Sequence, residues 1–440
     1  MSLTPKRQLT LLDSVCLIVG IIVGAGIYQV APDIARGSHS GLGVMALWLV
    51  GGLLSLCGAL GYAELATTYP QAGGDYAYLT RAYGRWAGFL FGWIQLAIVR
   101  PGDIAVMAFA FATYARTLHD PFAQGPSSHS QQVYACLAVA ALTTINILGV
   151  RQGKWTQNIL TFVKVLGLVA IVAVALLAPR ATSTPLNSEP LPLSLALILV
   201  LFTFGGWNEM AYVAAEVVNP ARNIVRALVL GTIAVTVLYL LVNASFLYAL
   251  GYPGLTESPA VAVDTIKTVF PTRAGALISV LVCLSALGAV NGLIFAGARI
   301  SYAVGCDHRI FRPLGEWHPG TGTPLRALVL QGFIAIVLVV LLGSFLNTLL
   351  YTAAPVYLFF LASNLAVIVL RRREPGVARP YRVWGYPVTP IVFCATCAFL
   401  AYSAVVYKPW VAVSALGILL AGLPLYWVSA RGQAKEALTR

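Results

Sequence analysis

The stretch "GIIVGAGIY", residues 20–28, lies in the middle of the first long apolar run, 11–36. It puts Gly20, Gly24 and Gly26 where a membrane-crossing helix should be continuous. Glycine weakens a helix interior and frees its backbone. Hydrocarbon gives an unpaired N–H or C=O no partner. A break at this depth therefore needs compensation from other protein groups or from a ligand.

Composition fixes the setting of that break. Of 440 residues, 59% are hydrophobic and 10% charged, with mean hydropathy +0.83. Soluble domains carry roughly a quarter charged residues, so the chain reads as a polytopic membrane protein. A crossing needs about 20 apolar residues. Twelve stretches qualify: 11–36, 41–69, 86–117, 132–150, 155–178, 191–217, 224–250, 275–303, 327–345, 348–370, 386–405 and 410–428. No soluble domain is expected beside them. The first run follows Lys6 and Arg7 without a small-residue cleavage site, so it reads as a retained span.

Most of the 28 Lys and Arg residues fall on one side of this arrangement, including Arg81, Arg85, Arg151, Arg222, Arg226 and the cluster Arg371, Arg372, Arg373. The bias predicts cytoplasmic termini, an even number of spans and residence in the cytoplasmic (inner) membrane. The net charge of +13 is then topological. The basic residues form short loop clusters, not one face of a domain, which excludes a nucleic-acid binder. "CATC" at 394–397 has CxxC spacing but no second pair, so it reads as buried small residues. There is no HExxH, so no metal and no cofactor are expected. No nucleophile–base–orienter set lies in the spans, which argues against an enzyme. Neither charge rings nor repeated filter loops are present, which argues against a channel.

The interruption recurs. The sixth stretch, "LILVLFTFGGWNEMAYVAAEVVNP", carries Gly205 and Gly206 at its centre. Matched interruptions five spans apart point to a transporter binding site, and an odd-numbered repeat must be inverted in the membrane. The glycines of "VGGLLSLCGALGY" in the second stretch read instead as close helix packing. A helix broken at mid-membrane exposes N–H groups at one edge of the gap and C=O groups at the other. A zwitterion with adjacent carboxylate and ammonium satisfies both, so an amino acid is the natural ligand.

These residues resemble a known family, the amino acid–polyamine–organocation transporters, and within it the L-type amino acid transporter branch. "GIIVGAGIY" is similar to its first-span signature, and "FTFGGWNEMAYVAAEVVNPARNI" (202–224) to its sixth-span pattern. "YAELATTYPQAGGDYAYL" (62–79) and "SALGAVNGLIFAGARISYA" (285–303) resemble its second-span exit and eighth span. The resemblance implies an all-α membrane fold of twelve helices, LeuT-type, with five-plus-five inverted repeats over 11–180 and 191–371, discontinuous helices one and six, and two peripheral helices over 386–428. It implies that Ile22, Gly24, Ala25 and Gly26, with Phe202, Gly205 and Asn208, bind the substrate's α-groups, and that Phe202 gates the site from outside. Ala25 replaces the usual Ser or Thr, and Asp75 the usual Glu. Animal members bond to a glycoprotein heavy chain through a cysteine after span three. The loop 115–132 has none, so no such subunit is expected.

Ionisable groups at membrane depth are functional candidates. Lys164, mid-span in "TFVKVLGLVAI", is too deep to snorkel. The resemblance makes it the substitute for a bound sodium, in the region where Ser285 could offer a hydroxyl. Arg100 and Asp103 are three apart in span three and are expected to pair. Asp103 and Glu209 are also candidates for the pocket or for coupling. Glu64, Glu216 and Arg299 fit either an inner-gate network or a solvated edge. The resulting expectation is a sodium-independent secondary transporter of amino acids, neutral L-amino acids first, working by alternating access. Proton-coupled carriage of cationic amino acids or polyamines is the alternative.

Overall fold

The computed structural model describes residues 7, 9–71, 73–120, 127–148, 153–180, 188–214, 217–271, 274–318, 320 and 323–438. They form helices, with two isolated bridges in place of any strand. The first apolar run becomes α1 (Leu11–Ile22), α2 (Gly26–Gln29) and α3 (Ala31–Ser38). Thr10 and Asp13 start α1 with a reciprocal cap: Asp13 N–H donates to Thr10 Oγ1 over 3.2 Å, and Thr10 N–H to Asp13 Oδ2 over 3.0 Å. Helix α4 (Gly41–Thr68) follows, capped by Ser40, then the short α5 (Asp75–Tyr83) and α6 (Arg85–Ile94). A π-helical turn, Gln95–Val99, joins α6 to α7 (Arg100–Leu118), so the third apolar run is one bar with an inserted residue.

Helices α8 (Ser127–Leu148) and α9 (Gly153–Ala175) come next. The sixth run forms α10 (Leu193–Thr203) and, beyond a turn, α11 (Glu209–Tyr212). Then follow α12 (Pro220–Glu257), kinked at Gly251, α13 (Val261–Lys267), α14 (Ala274–Asp307), α15 (Leu325–Leu342), α16 (Phe345–Arg373), α17 (Val388–Tyr407) and α18 (Pro409–Leu438).

Ten helices or collinear helix runs among the described residues are long and apolar enough to cross a membrane. Two shorter apolar segments, Thr161–Ala175 and Leu193–Thr203, fall in the fifth and sixth stretches read from the sequence. Large apolar side chains such as Leu53, Phe162, Leu241, Phe333 and Trp427 point outward, as a lipid solvent requires and water would not permit. The glycines of the second stretch are packing glycines: a Cβ on Gly51 would lie 2.1 Å from Val200 Cγ1, and on Gly52 2.4 Å from Thr236 Cγ2. They bring α4 against α10 and α12. Helix α7 lies against α14 and α16, so the two broken runs are enclosed by continuous helices.

Candidate functional site

The α-helical ladder of α1 stops at Val23 (φ −74°, ψ 78°). Gly24 N–H then turns to Ile22 O (2.8 Å) instead of reaching Gly20. The N–H groups of Ala25, Gly26 and Ile27 donate to nothing among the described residues. In the sixth run Gly206 turns the chain with φ +113°, a conformation that favours glycine. A Cβ there would also sit 2.6 Å from Ile21 Cγ2, and one on Gly26 would sit 3.5 Å from Thr203. The two interruptions therefore face and touch each other.

Carbonyls at the two breaks also accept from side chains of neighbouring helices. Lys164, on α9 and 2% exposed, donates from Nζ to Gly20 O over 3.0 Å. The fully buried Tyr239 of α12 donates to Ile22 O over 2.8 Å, with Thr203 O at 3.3 Å. One hydroxyl thus stands at the carbonyl ends of both half-helices. Ser285 is buried with no partner for its Oγ among the described residues.

A cavity of about 120 Å³ opens beside the breaks. Of the residues expected to meet substrate, Ile22, Gly24, Gly26, Phe202, Gly205 and Asn208 line it, as do Asp103 and Glu209. Ala25 is buried at the start of α2, and Lys164 and Ser285 stand behind the wall. The half-buried ring of Phe202 meets Phe345 edge-on, with centroids 6.3 Å apart.

The charges are arranged differently from the sequence expectation. Arg100 does not pair with Asp103. Its Nη2 reaches Glu209 Oε1 at 2.6 Å, and its Nε donates to Gln95 Oε1 at 3.0 Å. Arg100 and Asp103 both follow the π turn on α7, and the long guanidinium side chain reaches Glu209 at the start of α11. Asp103, facing the cavity, has no ion-pair or hydrogen-bond partner among the described residues.

Asp75 closes one end of the cavity. Tyr62, Tyr212 (2.5 Å) and Ser363 all donate to its buried carboxylate. Four segments, α4, α5, α11 and α16, meet at this one group. Nearby, Glu64 is buried and not a solvated edge. Arg371 forks onto it (2.7 and 2.5 Å), Arg379 approaches to 3.6 Å, and Val383 N–H donates to it. At the surface beside it, the Arg81 guanidinium holds the Glu374 carboxyl below its usual range. Arg299 lies over its own-helix neighbour Phe295, 3.3 Å from the ring centroid. Glu216 lies outside the described residues. Cys394 and Cys397 are free thiols on α17, and no group of three or more potential metal ligands occurs among the described residues.

Sequence reading missed Tyr239 and Gln95, and it noted Asp75 only as a departure from a pattern. A tyrosine within an apolar span gives no periodic signal. Its importance comes from the backbone it meets in other helices.

The family model described as amino acid permease matches residues 9–428. The chain is 31% identical over 438 residues to the b(0,+)-type amino acid transporter 1 of Homo sapiens, covering 96% of this chain and 88% of that protein. It is 31% identical over 431 residues to the serine/threonine exchanger SteT of Bacillus subtilis (strain 168), covering 96% of each. The large neutral amino acids transporter small subunit 2 of Oryctolagus cuniculus is 31% identical over 443 residues, with 98% and 82% covered. The family match runs through both broken helices and every wall of the cavity, and the chain therefore belongs to the amino acid permease family: it is an amino acid transporter of the amino acid–polyamine–organocation superfamily, resembling its L-type branch, and not an enzyme.

Proposed function

We propose that the protein exchanges neutral L-amino acids across the cytoplasmic membrane by alternating access, without sodium and without a partner subunit. The observation that carries this reading is the meeting of two broken helices at one cavity, with a lysine already on the carbonyl side of the first break. The free N–H groups of Ala25, Gly26 and Ile27 suit an α-carboxylate. The carbonyl end near Gly205 suits an α-ammonium. Asn208 adds a side-chain contact, and Phe202 closes over the substrate from outside.

In this reading the two shorter apolar segments cross the membrane with the ten longer ones, giving twelve spans with both termini inside. Residues 11–180 and 191–371 are inverted repeats, and 386–428 is peripheral. The Lys164 ammonium takes the place of a sodium ion between α1, α9 and α14. A second cation a few ångströms away in a medium of low dielectric would be strongly repelled. The carriers named above for animals include one called a small subunit, while the loop 115–132 of this chain offers no cysteine to a heavy chain.

The test is a proteoliposome screen of the twenty amino acids and small amines, with and without sodium and a pH gradient. Saturable uptake of neutral amino acids in sodium-free buffer is expected. Uptake confined to cationic amines and driven by a pH gradient would favour the proton-coupled alternative.

A further inference from the structure

Four charged side chains line the cavity: Asp75, Arg100, Asp103 and Glu209. Three of them have protein partners, although Arg100 Nη1 and Glu209 Oε2 are buried without a hydrogen bond among the described residues. Asp75 accepts from three hydroxyls, and Arg100 pairs with Glu209 at 2.6 Å. The uncharged polar side chains of the wall are also engaged. Gln95 serves Arg100, Thr203 donates to Leu199 O, Thr352 to Leu349 O, Tyr357 to Ile198 O and Tyr212 to Asp75. Asp103 and Asn208 alone among the polar wall side chains bond to no protein group among the described residues.

The position of Asp103 is set by its helix. Asp103 and Met107 are four apart on α7 and share a face. Met107 lies against the first break: a Cβ on Gly24 would be 3.3 Å from its Sδ. Asp103 is therefore about one helical turn, ~5.4 Å, along α7 from the point where the first helix opens. A substrate whose α-groups sit at the break can extend a side chain of lysine or arginine length along this face toward Asp103, which lines the same cavity. A carboxylate at membrane depth without a hydrogen-bond or ion-pair partner is costly, and a cation delivered by the substrate relieves that cost.

We infer that Asp103 is the specificity-determining residue that admits amino acids with a side-chain ammonium or guanidinium alongside the neutral ones. This rests on the reading that substrate α-groups bind at the break. The neighbouring Arg100 does not repel such a side chain as a free cation would, because Glu209 neutralises it at 2.6 Å.

The experiment uses the full chain in proteoliposomes loaded with the neutral amino acid it exchanges best. Lysine, ornithine and arginine compete against labelled neutral uptake in the wild type, Asp103→Asn, Asp103→Ser and Asp103→Glu. In the wild type the basic amino acids compete. In Asp103→Asn and Asp103→Ser the affinity for basic relative to neutral amino acids falls at least tenfold, about 1.4 kcal/mol, while Asp103→Glu keeps the preference. Failure of basic amino acids to compete in the wild type overturns the inference and leaves neutral exchange standing. An equal loss for both classes in the variants also overturns it, since the carboxylate would then read the α-ammonium common to all. Absence of exchange for every amino acid would overturn the functional reading itself, and this inference with it.

Discussion

The Lys164 ammonium donates to the carbonyl of Gly20 over 3.0 Å, both groups buried beside the break in the first helix. The bond exists because Gly24 N–H, the ordinary partner of that carbonyl, has turned to Ile22 O. Removing the ammonium leaves a buried carbonyl unpaired and the half-helix without its anchor. Lys164→Ala is expected to lower the maximal rate of uptake at least tenfold while changing half-saturation less. Initial-rate measurements over a range of substrate concentration separate the two effects. An unimpaired variant would contradict the role given to the lysine.

Phe202 stands at the last turn of α10 against Phe345, at the rim of the cavity. An aromatic lid acts by excluding water during occlusion more than by holding the substrate. Phe202→Ala should cut transport severely and leave equilibrium binding within about tenfold, roughly 1.4 kcal/mol. Binding to purified protein and uptake into proteoliposomes, measured side by side, decide this. Normal uptake would mean that the lid lies elsewhere.

The Arg100–Glu209 pair is buried on both sides. Removing one partner strands the other charge, which costs about 3–5 kcal/mol, while replacing both by apolar groups costs far less. Arg100→Met and Glu209→Leu should each depress the unfolding temperature in detergent strongly, and the double variant should recover most of the loss. Additive losses would show that the residues act separately.

Asp75 gathers hydroxyls from α4, α11 and α16. Hydrogen bonds to a charged group are worth about 1.5–3 kcal/mol each. Tyr212→Phe should therefore loosen α11 from this junction, lowering thermal stability by a few degrees and altering uptake rate. Asp75→Asn should cost more, because it weakens three bonds at once. A variant indistinguishable from wild type in both stability and rate would remove the junction from the account.

Much of this was legible before any coordinates. Apolar run length located the helices, since a span is a long local signal. The breaks were legible because Gly20, Gly24, Gly205 and Gly206 disturb two runs at matching depth. Lys164 was legible as a buried charge with no interface to reach. Partners distant in sequence were not. Helical spacing suggested Arg100 with Asp103, yet the Arg100 guanidinium reaches Glu209 on another helix, far along the chain. The Asp75 junction was equally hidden, because its donors come from three separated segments. The solvated-edge reading of Glu64 failed for the same reason: Arg371 and Arg379, far along the chain, bury it.

A single chain is expected to exchange amino acids at a site where lysine takes the place of sodium. The most direct measurement is counter-flow by the purified chain alone, with choline replacing sodium throughout. Proteoliposomes preloaded with an unlabelled substrate amino acid should take up the labelled one several-fold faster than empty ones, at the same rate whether sodium or choline is outside. Uptake that requires sodium, or a folded protein that stays inert without a second subunit, would contradict the account.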